Sequence, residues 1–138
     1  MDYIKELNEN CRNTLVERLG MVFTAIGDGW LEAQMPIDER TCRPDGALHG
    51  GANMALAETV SGALSSIMVP EEMRYHVFGI EINGNHMKQA EGHYVTARAE
   101  FIHKGRRTHV VQVEIRDESG ALVTVSRVTN IVVEPHHS

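Results

Sequence analysis

The chain has 138 residues, of which 42% are hydrophobic and 23% charged, with a formal net charge of −6; these proportions exclude a disordered chain and fit one globular domain. Apart from Lys104-Gly105-Arg106-Arg107 the basic residues are scattered, and aromatic residues are few, so neither a phosphate-binding face nor a base-stacking platform for nucleic acid is indicated. Cys11 and Cys42 are too few for a disulfide framework and lack metal-ligand spacing; the first residues carry no signal-peptide pattern, and no run reaches the ~18 apolar residues of a membrane span. The expectation is a single cytoplasmic domain over residues 1–138, with no nucleic-acid or membrane partner.

Taken in chain order, Ile4, Leu7, Cys11, Leu15 and Val16 predict one or two short amphipathic helices, broken near Asn10 to Asn13 and stopped by Gly20. Val22 to Ile26 and Leu31 to Met35 flank Gly27-Asp28-Gly29, which reads as a β-hairpin. Residues 37–48 lack periodicity and form a loop. From Gly50 to about Met68 the chain is free of proline and predicts one long helix that ends before Pro70. Val77 to Lys88, Tyr94 to His103, Thr108 to Arg116 and Leu122 to Val133 read as strands. Val95, Ala97, Ala99 and Phe101 share one face, as do His109, Val111, Val113 and Ile115. Asp117-Glu118-Ser119-Gly120 supplies turn chemistry between the last two. The fold class expected is α+β, with a largely antiparallel sheet against one helix.

Between His49 and Glu71 the only charged residue is Glu58. A helix so poor in charge is expected to be wrapped by the sheet. A lone carboxylate buried there is costly, and such groups concentrate at active sites. A second reading places Glu58 on a narrow solvent-facing strip with Thr59, Ser61, Ser65 and Ser66. Just ahead of the helix, His49-Gly50-Gly51 leaves unpaired, unshielded amides at the positive end of the helix dipole, suited to a carbonyl or a developing oxyanion. An ordinary tight turn would use the same residues. Glu58 lies nine positions beyond His49, roughly 13 Å along a helix at ~1.5 Å per residue, too far for it to reach its own helix start. If carboxylate and amides serve one substrate, the second helix comes from another copy, and a homodimer with two shared sites follows.

Gly46-Ala47-Leu48-His49-Gly50-Gly51-Ala52, followed by Ala55-Leu56-Ala57-Glu58-Thr59, resembles the hotdog-fold acyl-CoA thioesterases, in the branch acting on aryl-CoA or aryl-carrier-protein thioesters. Asn13-Thr14-Leu15-Val16, Leu19-Gly20, Glu32-Ala33-Gln34-Met35-Pro36 and Gly79 to His86 extend the resemblance over nearly the whole chain. It implies a long central helix wrapped by the sheet, and dimers that pair into tetramers with sites at the dimer interface. By the same resemblance Glu58 is the nucleophile or general base, the N–H of Gly51 or its neighbour Gly50 polarises the thioester carbonyl, and His49 positions it. Coenzyme A contacts fall on Gly79, on His86, Met87, Lys88 and Gln89, and on His103, Lys104, Gly105, Arg106, Arg107 and Thr108.

The match has departures. Arg43 stands where a glutamine orients substrate in close relatives, and Asp45 where an aromatic residue lines the acyl pocket. Gly62, beside Ser61, replaces a serine that holds water in some relatives. These changes touch the acyl group, not the thioester chemistry. The expected substrate is an acyl-CoA or acyl-carrier-protein thioester, with no separate cofactor because coenzyme A enters as part of the substrate. A hydratase or dehydratase on this fold needs a catalytic His in a different motif, which is not found. A non-catalytic thioester-binding module conflicts with an intact Glu58 beside His49-Gly50-Gly51. His93, His103 and His109, on separate strands or turns, imply no metal, and His136-His137 reads as a tail.

Overall fold

The computed structural model describes residues 2–134, the side chain of Tyr75 excepted, so the expected His136-His137 tail lies outside the described residues. Two short helices open the chain, α1 (Tyr3–Asn10) and α2 (Leu15–Arg18). Asp2 caps the first by accepting from the Lys5 N–H. Gly20, at φ 75°, takes the left-handed conformation that ends the second. The hairpin follows as β1 (Val22–Gly27) and β2 (Trp30–Pro36), turning on Asp28-Gly29 with Gly29 at φ 77°. After the loop comes α3 (Gly50–Ile67), then a 3-10 turn over Glu71–His76 that the periodicity did not reveal. Four strands complete the chain: β3 (Val77–His86), β4 (Tyr94–Lys104), β5 (Thr108–Asp117) and β6 (Leu122–Val132).

Among the described residues the strands form one six-stranded antiparallel sheet in the order β1-β2-β4-β5-β6-β3. It wraps α3, giving the hotdog arrangement. The inner faces of β2, β4 and β5 supply Leu31, Ala33, Met35, Val95, Ala97, Ala99, Val111, Val113 and Ile115. Leu56, Ala57, Val60 and Leu64 of α3 meet them, all fully buried. Small residues at β4's centre let the helix lie close to the sheet.

The two edges of the sheet differ. On β1 the Asn8 side chain fills the open position: its Nδ2 donates to the Phe23 carbonyl at 3.0 Å, and the Phe23 N–H donates back to Oδ1 at 2.8 Å. The β3 edge pairs with β6 on one side and, among the described residues, with no strand on the other. Most of its residues are exposed on both faces, including Phe78 and Ile80. No described helix is long and apolar enough to cross a membrane.

Leu56 is fully enclosed between the helix and the sheet. Leu56→Ala is therefore expected to lower the unfolding free energy by about 2–5 kcal/mol, measured by denaturant titration.

Candidate active site

The loop before α3 is closed by local bonds. The Thr41 hydroxyl donates to the Pro36 carbonyl at 2.7 Å, and the His49 N–H donates to the Thr41 carbonyl at 2.9 Å. His49 is thereby set as the helix cap, and the Gly51 N–H donates to its Nδ1 at 2.8 Å. An accepting Nδ1 leaves the ring proton on Nε2, pointed away from the cap. The two glycine amides are thus not equivalent. Gly51's is occupied by His49, whereas Gly50's has no acceptor among the described residues.

Over Gly50 lies the ring of His86, at the end of β3. A Cβ at Gly50 would sit 2.8 Å from His86 Nε2, so a side chain here would push the ring aside. His86 Nδ1 is 2.8 Å from Thr124 Oγ1, which also accepts from Asn53 Nδ2 at 3.3 Å. His86 Nδ1 and the Thr124 hydroxyl share this hydrogen bond, with the direction set by the ring's tautomer, and the ring turns its Nε2 toward Gly50. A cavity of about 290 Å³ opens here, lined by Arg43, Leu48, Gly50, Asn53, His86, Met87, Lys88 and Gln89. The Arg43 guanidinium is tied back to Asp45, and this contact holds the Asp45 carboxyl below the usual carboxylate range.

Glu58 lies elsewhere, two turns along α3 and against the far part of β3. A Cβ at Gly79 would sit 3.0 Å from Glu58 Oε1. The expected burial of this carboxylate is not met in the single chain: Glu58 is exposed. The reason is the bare edge. Gly51, Glu58 and Gly62 share the side of α3 that looks past β3, and nothing lies within 4 Å of a Cβ placed at Gly62. The alternative serine strip is not formed either, because Ser61 and Ser65 turn inward and are fully buried. Ser61 Oγ donates to the Glu58 carbonyl at 3.1 Å.

The Glu58 end also holds the basic turn. Lys104 pairs with His109, His109 with Asn130, and Asn130 with Gly79 across four strands. His103, Lys104, Gly105, Arg106, Arg107 and Thr108 therefore sit with Gly79 and Glu58, while Arg43 and His86 to Gln89 sit with Gly50. Arg106 is 3.7 Å from Glu134 at the surface. His109 is buried, and loss of hydration holds its imidazole below the ordinary histidine range. The expected site residues thus fall into two groups at opposite ends of the α3–β3 seam.

Asp117 has a part that turn chemistry alone did not disclose. It is buried at the end of β5, and its Oδ1 accepts from the Ser119 hydroxyl at 2.6 Å and from the N–H groups of Ser119 and Ala121. Its Oδ2 accepts from the Glu91 N–H at 3.0 Å and lies 3.4 Å from Lys88 Nζ. The Ser119 hydroxyl first, then the Glu91 amide, hold its carboxyl well below the usual carboxylate range. Asp117 so anchors the segment that forms the cavity wall after His86.

Residues 45–124 match the model of the thioesterase superfamily. The chain is 38% identical to the 1,4-dihydroxy-2-naphthoyl-CoA hydrolase of Escherichia coli, covering 94% of this chain and 93% of that protein. It is 36% identical to the proofreading thioesterase EntH of Cronobacter sakazakii, over 94% of this chain and 93% of the other. Among solved structures, a thioesterase from Haemophilus influenzae superposes with a TM-score of 0.90 at 42% identity, covering 97% of this chain and 94% of that one.

Because Asp117 has a depressed folded value, its contribution to stability is complete above the unfolded carboxylate value of about 3.9 and is lost as the pH falls below it. Melting curves across pH should show the wild type above Asp117→Asn at neutral pH, with the gap closing in acid. A gap that persists unchanged to low pH would remove the carboxylate from this role.

Proposed function

Given that the chain belongs to the thioesterase superfamily, we propose that it hydrolyses an acyl-CoA thioester, with an aryl or medium-size acyl group, to the free acid and coenzyme A. The observation that carries this reading is the separation of these two groups of site residues. Along β3, His86 lies against Gly50 at one end and Gly79 against Glu58 at the other. Two copies of β3 paired antiparallel about a two-fold axis would set the Gly79 end of one beside the His86 end of its partner. Glu58 would then meet the partner's Gly50, and each carboxylate would be covered. A homodimer is the smallest active unit on this reading, and dimers pairing into a tetramer agree with the family resemblance.

In such a site the thioester carbonyl points at the start of one helix. The free Gly50 amide takes the charge that grows on oxygen, with the His49 Nε2–H and the His86 ring nearby. The Gly51 amide acts at one remove by fixing His49. Glu58 of the other subunit attacks the carbonyl, or activates the water that does. Thiolate leaves readily and needs no strong acid. The cavity at Gly50 suits the acyl group, with Arg43 in its wall and Asp45 holding that guanidinium. Lys104, Arg106 and Arg107 at the Glu58 end suit the phosphates of coenzyme A. A carrier-protein thioester presents the same reacting atoms, and a cytoplasmic setting agrees with either substrate.

Glu58→Gln is expected to lower kcat by about 10²–10⁴-fold with little change in KM, read by thiol release over aryl-, phenylacetyl- and fatty-acyl-CoA. Near-normal rates in this variant would refute the assignment. The shared site has its own test. Chains carrying Glu58→Ala, co-expressed with chains carrying Gly50→Val, should regain activity, since the mixed dimer contains one intact site. No recovery in a verified mixed dimer, or a fully active monomer, would overturn it.

A further inference from the structure

Beside Glu58 is an acceptor that lacks a donor. Asn130, on β6 opposite Gly79, is 1% exposed. Its Nδ2 donates to the Ser61 carbonyl at 3.2 Å and to Ser65 Oγ at 2.9 Å. The Ser61 carbonyl can only accept, so turning the amide over would set two oxygens against each other. The orientation is therefore fixed, and Oδ1 is buried without a hydrogen-bond partner. Its neighbour across β5, His109, does not serve it, because His109 Nδ1 is equally unpaired. The place built on Gly79 lies 3.4 Å from Asn130 Oδ1 and 3.0 Å from Glu58 Oε1, so both oxygens border one small space. Two acceptors on one space can bond only when one of them carries a proton, and a buried acceptor left unmet is costly.

We propose that Asn130 is a positioning residue for the hydrolysis: its Oδ1 accepts a hydrogen bond from the Glu58 carboxyl while that group carries the proton taken from the attacking water. This rests on the hydrolase reading and deepens it, because it separates the two routes open to Glu58. A nucleophilic carboxylate passes from anion to anhydride and never bears a proton; an oxygen acceptor beside it repels the anion and helps no later step. A general base holds a proton throughout the interval between attack and collapse. The water oxygen bonds to the carbonyl carbon as one O–H bond breaks, its proton passes to Glu58, and the carbonyl π pair moves to oxygen. On collapse that pair re-forms the C=O bond, the C–S bond breaks with its electrons on sulfur, and the thiolate takes the proton from Glu58. Through that interval the Glu58 O–H donates to Asn130 Oδ1. Because Oδ1 is closed to solvent, bulk water does not take the place of that donor.

The test is a double-mutant cycle on the full-length enzyme with an aryl-CoA substrate. Asn130→Ala should lower kcat by about 10–100-fold with KM unchanged, the size of a lost hydrogen bond to a charged or proton-bearing group. In a Glu58→Ala background, where only the carbonyl-polarising helix end still contributes, the same change should cost nothing. A loss that falls on KM, or one equally large without Glu58, would make Asn130 merely structural and overturn the proposal. Should Asn130→Ala not fold, Ser65→Ala removes one anchor of the amide: a several-fold fall in kcat that requires Glu58 supports the proposal, and an unchanged kcat overturns it. No thiol release by the wild-type enzyme over the acyl-CoA panel would instead remove the hydrolase reading itself.

Discussion

Where α3 passes beneath β3, a glycine stands at each crossing, because helix and strand come too near for a side chain on both. Gly50 admits the His86 ring, Gly84 admits the end of Met54, and Gly79 admits the Glu58 carboxylate. Each glycine gives way to a longer group on the opposite element, so the seam is close-packed without being apolar. The polar groups at its two ends are held to fixed places by this approach. The register of β3 on β6 shifts between Gly79 and Glu81, next to the crossing with Glu58.

The parts of this fold that bury one face were legible in the sequence. Strands β4 and β5 alternate so regularly that their inner residues could be named in advance, and the burial found follows that alternation. The proline-free run from Gly50 also announced the length of α3. Strand β3 was recognisable only as a strand. It carries Phe78 and Ile80 into the open, a pattern that no single-chain periodicity rule can interpret. For the same reason the exposure of Glu58 went against expectation: a helix poor in charge implies cover, and the sheet of the single chain leaves Glu58 open.

The site was legible where it depends on local chemistry and illegible where it depends on pairing across the sheet. His49-Gly50-Gly51 could be read as a helix start with open amides. That His49 would occupy the second amide and leave the first required the actual rotamer. Asn130 gives no signal at all, being one polar residue on a strand. Its meaning comes from Ser61 and Ser65, far away in sequence and brought close by the wrap of the sheet around the helix. Asp117 was visible as a turn residue, yet its bond to the Glu91 amide depends on a loop from another part of the chain.

The Asn8 side chain, which fills the outer edge of β1, has a consequence beyond holding α1 in place. A sheet open at both edges could accept further copies one after another and grow into a filament. The Asn8 carboxamide uses both the N–H and the carbonyl of Phe23, so a strand added along β1 would have to displace it, whereas β3 has no such obstruction among the described residues. A copy that adds through β3 carries the same obstruction on its own β1. One asparagine near the start of the chain thus makes the two edges of the sheet unequal as places for a further strand.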